Sequence, residues 1–176
     1  KSVFVLDSPL LPENPYEECA FAGLHAAAEQ KQAILCGIAK TTALLCNNGE
    51  SVVQQLERFD KKGSWLYAPV FSSYEQKHNA VVSFVRLHPA ARHIFRFEIA
   101  AKQKEKCLEV ASWLAGISHD AAFLGYPYGM VVADQLARVS NKEKEYSQIL
   151  FLSHAGEKEF ATTALNAHEI LDRMNF

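Results

Sequence analysis

The sequence predicts an α/β fold in which a mixed β-sheet is flanked by helices and followed by a helical C-terminal part. Three observations predict it. Val3-Phe4-Val5-Leu6 and Ala33-Ile34-Leu35-Cys36-Gly37-Ile38 are unbroken apolar runs, the pattern of strands buried on both faces. A helix-length segment separates them, so the two read as adjacent parallel strands of a βαβ unit. The middle third is rich in β-formers, with residues 80–87 and 93–100 joined by a short turn as in an antiparallel hairpin.

The first run ends on Asp7, followed by Ser8-Pro9-Leu10. A carboxylate closing a buried strand must be paired, hydrogen-bonded or bound to a cation, and the C-terminal ends of central strands are where α/β folds place ligands. The alternative is that Asp7 caps the Ser8-Pro9 turn. Asn14-Pro15-Tyr16-Glu17 then marks a helix start, with Asn as cap, Pro in the first position and Glu closing a capping box. Tyr16, Cys19, Ala20, Gly23, Leu24 and Ala27 predict its buried face, through about Gln30.

Lys40-Thr41-Thr42 leaves the second strand at the same sheet edge as Asp7 and predicts the start of another helix. Lys40 is either a solvated surface lysine or a phosphate contact. Asn47-Asn48-Gly49 breaks that helix, and Val52, Val53, Leu56 and Phe59 predict a short second one. A further β-rich segment spans 64–72. In the last β-segment Arg96 and Glu98 share one face and Phe95, Phe97 and Ile99 the other. Cross-strand charge pairing on a solvated face is the ordinary role of such a pair, and a catalytic role for Glu98 is the alternative.

The last third predicts helices over 104–115, 142–154 and 157–175. Between them lies Phe123-Leu124-Gly125-Tyr126-Pro127-Tyr128-Gly129, a glycine-bracketed aromatic turn whose tyrosine hydroxyls need partners.

With 176 residues and no internal repeat or linker, the whole chain 1–176 reads as one domain. A net charge of −2 and pI near 6.4 exclude a global basic field, although a local cluster can still hold phosphates. Cys19, Cys36, Cys46 and Cys107 have no C-x-x-C spacing and read as reduced core residues of a cytoplasmic protein. No apolar run is long enough to span a bilayer. Lys1 enters a strand at once, which reads as a C-terminal fragment or processed form of a longer protein.

In order, Val5-Leu6-Asp7-Ser8-Pro9-Leu10, Gly37-Ile38-Ala39-Lys40, Arg96-Phe97-Glu98 and Gly125-Tyr126-Pro127-Tyr128, with Ala133-Asp134 and Ala137-Arg138 downstream, resemble the C-terminal part of the NurA nucleases. The resemblance covers nearly the whole chain and rests on the joint order of motifs. It implies an RNase H-like domain that binds Mn²⁺ or Mg²⁺, cuts DNA as a homodimer, and works with a HerA-type hexameric ATPase and translocase in DNA end resection. By resemblance Asp7 matches a metal-binding aspartate in a D-G-x-L type motif, with Ser8 in place of Gly. Tyr126 matches the tyrosine of the G-Y-P turn. Asp134 falls where the family often has His. Catalytic roles are thus expected for Asp7, Tyr126 and Asp134, substrate contacts for Lys40 and Arg138, and metal binding for Asp7 with Glu98 as a further candidate.

The family's first metal aspartate and a further glutamate belong upstream of Lys1, so the resemblance implies an incomplete site here. From that follow two expectations: an unpaired edge on the Asp7 strand, and weak metal affinity. The competing readings are a NurA-like interaction or dimerisation domain without catalysis, and an unrelated α/β hydrolase converging on a strand-end Asp. No Walker phosphate loop and no G-x-S-x-G elbow is present.

Overall fold

The computed structural model describes residues 2–12, 14–59, 62–70, 79–123 and 125–154. The chain divides into two compact units, Lys1–Leu136 and Ala137–Phe176. The first holds a five-stranded mixed sheet with helices on its faces.

Strand β1 (Val3–Leu6) is followed by helix α1 (Pro15–Gln30) and strand β2 (Ile34–Ala39). β1 and β2 pair in parallel, Leu6 opposite Gly37. Helix α2 (Val52–Glu57) precedes β3 (Trp65–Tyr67), β4 (Ala80–Arg86) and β5 (Phe95–Ala100). The sheet order is β1-β2-β5-β4-β3, antiparallel beyond β2. β1 is therefore an edge strand among the described residues. A 3₁₀ segment, Ala101–Lys106, leads into α3 (Cys107–Gly116), and α4 (Tyr128–Ala137) follows the aromatic turn.

Strand alternation divides the core into two layers. Ile34, Cys36 and Ile38 of β2, with Phe95, Phe97 and Ile99 of β5, face α3 together with Val110, Ala111, Leu114 and Tyr126. Leu10, Leu35, Ala80 and Ala100 face α1 through Leu24 and Ala28. All six residues of β2 and all six of β5 are buried, as the unbroken apolar run of β2 predicts.

Several local expectations are corrected. α1 is capped as expected: the Asn14 side chain accepts from the Tyr16 and Glu17 amides and donates to Glu17 Oε1 at 2.7 Å. Its inward face, however, is Phe21, Leu24, His25 and Ala28, and Tyr16 is 94% exposed. Leu24 and Ala28 meet the sheet through Leu10 and Leu35, a stripe that the small residues Ala20, Gly23 and Ala27 do not define. The same rotation leaves Cys19 exposed; Cys46 is half-buried, and Cys36 and Cys107 lie in the core. All four are free thiols, and burial pushes Cys36 up to about 12.

No helix begins at Lys40. The Thr42 hydroxyl instead accepts from the Leu44 amide and Leu45 bridges Ser51, local bonding by which threonine competes with a helical turn. β3 covers only Trp65–Tyr67 of the expected 64–72, whose residues 71 and 72 lie outside the described ones, as does the expected helix over 157–175. Arg96 and Glu98 do pair, but inside the protein: they are 7% and 0% exposed.

In the second unit α5 (Asn141–His154) is described, capped by Ser140, whose amide and hydroxyl both donate to Glu143 Oε2 at 2.8 Å. Among the described residues no helix is long and apolar enough to cross a membrane.

Candidate functional site at the end of β1 and β2

β1 and β2 run in the same direction, so Asp7 and Lys40 emerge at one end of the sheet. Strand alternation gives them a common face: Asp7 continues the Val3 and Val5 row and Lys40 the Cys36 and Ile38 row, toward α3. Lys40 Nζ donates to Asp7 Oδ2 at 2.9 Å. The Tyr126 hydroxyl donates to the other oxygen, Oδ1, at 2.6 Å.

Tyr126 reaches that position because of the turn before it. Gly125 adopts φ +70°, and a Cβ there would lie 2.6 Å from His88 Cβ and 3.1 Å from Ala91 Cβ. Only glycine allows both the left-handed backbone and this approach. The Tyr126 ring is 5% exposed and packs 5.1 Å from Phe95, whose ring lies 4.6 Å from His93. His93 Nε2 in turn donates to the Lys40 carbonyl at 2.9 Å, the tautomer that this acceptor requires. Lys40 Nζ sits 4.8 Å from the centre of the Tyr126 ring. Asp7, Tyr126, Phe95, His93 and Lys40 thus form a closed circuit of contacts.

The two bonds to Asp7 differ in strength. The Lys40 and Asp7 side chains are 41% and 34% exposed, and ion pairs of that kind contribute about 0–1 kcal/mol. A hydrogen bond from a buried neutral hydroxyl to a carboxylate contributes about 1.5–3 kcal/mol. Tyr126 therefore fixes Asp7, and Lys40 is the exchangeable partner. Burial, then the bond to Asp7 and the charges of Asp7 and Asp134, raise the Tyr126 hydroxyl far above its ordinary pKa. It is a proton donor at any physiological pH.

Asp134, exposed on α4, acts on this cluster through its charge at Tyr126. Arg138 is exposed and belongs to the second unit. Glu98 is not brought to Asp7. It pairs across β2 with Gly37, which itself stands opposite Leu6, so its side chain lies on the α1 face, opposite to Asp7. There Oε1 accepts from Arg96 Nε at 2.5 Å and Oε2 accepts from the Leu10 amide at 2.7 Å. Glu98 thereby anchors the backbone just after Asp7. Gly37 completes that anchor: a Cβ would lie 2.4 Å from Ser8 O and 3.3 Å from Leu10 Cγ, so the chain leaving β1 crosses directly over it.

Among the described residues no group of three His, Cys, Asp or Glu side chains could hold a metal ion. Asp7 supplies one carboxylate, already engaged at both oxygens. A hard divalent cation takes about six oxygen ligands, and even Mg²⁺, which keeps several waters, is held by one or two carboxylates free to coordinate it. The described residues do not by themselves make such a site.

The alternation that sets Phe95, Phe97 and Ile99 on one face of β5 also puts Phe95 on the Asp7 side. His93, just before the strand, carries no comparable signal.

Comparison with known proteins supplies the lineage. No curated protein sequence matches the chain. The crystal structure of the NurA nuclease from Sulfolobus solfataricus aligns with 74% of this chain at 19% identity and a TM-score of 0.49; the chain spans 42% of that protein's length. The NurA domain family model matches residues 31–139, from the turn before β2 through α4 and including Lys40, His93, Tyr126 and Asp134. On that match, which covers more than half of its length, the chain belongs to the NurA family.

Proposed function

We propose that this chain is part of a metal-dependent DNA nuclease of the NurA type, contributing Asp7 as an active-site carboxylate and Tyr126 as the group that orients it. One observation carries the reading: a buried tyrosine, distant in sequence, donates a 2.6 Å hydrogen bond to a carboxylate at the open end of parallel strands. Such a bond stabilises any carboxylate, but buried Glu98 is the structural case, in which every donor serves the scaffold, whereas Asp7 stands half-exposed at a sheet end. A carboxylate that must present one lone pair to a cation or a water gains its orientation from such a donor.

In this reading Lys40 exchanges Asp7 for a substrate phosphate oxygen, which its exposed, weakly held ammonium suits. Asp134 adds negative charge beside Tyr126, in the slot where a family histidine often stands, and Arg138 contacts the DNA strand. Mn²⁺ or Mg²⁺ is the cofactor, with further oxygen ligands drawn from outside the described residues, because Asp7 alone is too small a donor set. A homodimer working with a HerA-type translocase in DNA end resection is the cellular setting the family resemblance supports.

The incomplete donor set also favours a second reading, a NurA-like interaction or dimerisation domain without catalysis. A Mn²⁺- and Mg²⁺-dependent cleavage assay on the intact protein beside Asp7→Ala separates the two. Metal-dependent cleavage lost in Asp7→Ala is expected. Cleavage that Asp7→Ala leaves unchanged, or no cleavage with either metal, would sink the nuclease assignment for this site.

A further inference from the structure

We infer that Arg92, in the limb of the β4–β5 loop that enters β5, is a second anchor for a DNA strand whose phosphate reaches Lys40. This rests on the nuclease reading above and names a contact that reading does not use. Because β5 is antiparallel to β2, the loop entering β5 lies at the sheet end where Asp7 and Lys40 emerge.

That loop is fastened to the site on both sides. His93 donates to the Lys40 carbonyl at 2.9 Å and packs its ring at a tilt against Phe95, which packs at a tilt against Tyr126. On the other side Gly125 abuts His88 and Ala91 so closely that no Cβ fits. Within the loop the Ala90 amide donates to His88 Nδ1 and the Ala91 amide to His88 O, both at 3.2 Å. Ala91 is 5% exposed. The backbone under Arg92 therefore has a fixed place relative to Lys40.

Arg92 is solvent-exposed on that fixed backbone and makes no hydrogen bond or ion pair among the described residues. The acidic member of the circuit, Asp7, is engaged by Lys40 and Tyr126. Most exposed arginines are simply solvated, but this one shares a sheet end with Lys40, whose half-exposed ion pair with Asp7 is weak enough to yield to a phosphate, so both cations can serve one anionic chain. A guanidinium also matches phosphate with two parallel hydrogen bonds, which an ammonium cannot do. A phosphodiester chain is the anion whose charges repeat along a line, so one strand can meet both residues.

The test is binding of a labelled single-stranded oligonucleotide to the intact protein, by fluorescence anisotropy in EDTA so that no cleavage intervenes, across a salt series. Arg92→Ala should weaken binding about tenfold or more, the lower end of what loss of one charge-assisted contact costs. It should also reduce the slope of log K against log salt by about 0.7. Arg92→Lys should recover most of the affinity. Arg58→Ala, which removes an exposed arginine already ion-paired with Glu50, should leave affinity and slope unchanged and controls for net charge. Unchanged affinity and slope in Arg92→Ala, or equal losses in Arg92→Ala and Arg58→Ala, would overturn the inference. Arg92-dependent binding by a protein that cuts nothing with Mn²⁺ would overturn the nuclease reading and leave this one standing.

Discussion

The Tyr126 hydroxyl donates to Asp7 Oδ1 at 2.6 Å, joining residues 119 positions apart at the end of the edge strand. The bond defines one carboxylate geometry, and the Phe95 ring behind Tyr126 holds the donor in place. Tyr126→Phe keeps that packing and removes only the hydroxyl. On the proposed nuclease function, Tyr126→Phe in the intact protein should lower metal-dependent cleavage about 10- to 100-fold, the usual cost of losing a group that orients a ligand, with the melting temperature changed by a few degrees only. Cleavage kinetics beside a thermal melt check it; wild-type rates in Tyr126→Phe would remove the tyrosine from the site.

Alkaline titration gives an independent check that needs no activity. The folded-state pKa of Tyr126 is raised above its unfolded value, so its contribution to stability is complete below about pH 10 and is lost as pH rises beyond that. Ultraviolet titration of the six tyrosines should therefore show one group that ionises last, with unfolding. Tyr126→Phe should delete that late step and no other. A profile in which all tyrosines titrate together would contradict the buried donor.

Gly37 is the narrowest point beneath the site, since its missing Cβ leaves room for Ser8 O. Gly37→Ala should lower stability by about 1–3 kcal/mol, the range for forced overpacking. Because the segment displaced is the one that follows Asp7, cleavage should fall as well. Gly23 in α1 is the control: nothing lies within 4 Å of its Cβ position, and Gly23→Ala should be neutral or stabilising by up to about 1 kcal/mol. Chemical denaturation of the two variants reads the contrast.

How far the sequence discloses this arrangement depends on the kind of signal. The apolar runs of β1 and β2 and the capping box at Asn14 are local and strong, and they lead directly to the parallel pair and its crossover. Period-2 alternation also places Phe95 and Phe97 on one face of β5 and Glu98 on the other. What alternation cannot say is which face is wet. Arg96 and Glu98 look like a solvated pair until the segment after β1, whose Leu10 amide donates to Glu98, is laid over that face, and the inward stripe of α1 is misread because alanine and glycine mark it weakly. The circuit around Asp7 was half legible: Asp7, Lys40 and Tyr126 stand at informative punctuation, a strand end or a glycine-bracketed turn. His93 acts through a backbone carbonyl, and a bond of that kind leaves no trace in residue type.

Glu98 separates a structural carboxylate from a catalytic one. It is fully buried on the α1 face, neutralised by Arg96 and hydrogen-bonded to the Leu10 amide. Glu98→Ala leaves a buried guanidinium without its counter-charge, and breaking such a pair costs about 3–5 kcal/mol. The variant should therefore unfold at markedly lower denaturant. The double variant Arg96→Leu/Glu98→Leu removes both charges and should recover most of that loss, since a buried ion pair and apolar residues of similar volume are often equivalent. It should not recover all of it, because the Leu10 amide remains without its acceptor, a deficit of about 1–3 kcal/mol. Equilibrium denaturation of the three proteins measures these differences. A metal ligand would behave in the opposite way: Glu98→Gln, nearly isosteric, would keep stability and abolish cleavage, and that result would move Glu98 from the scaffold into the active site.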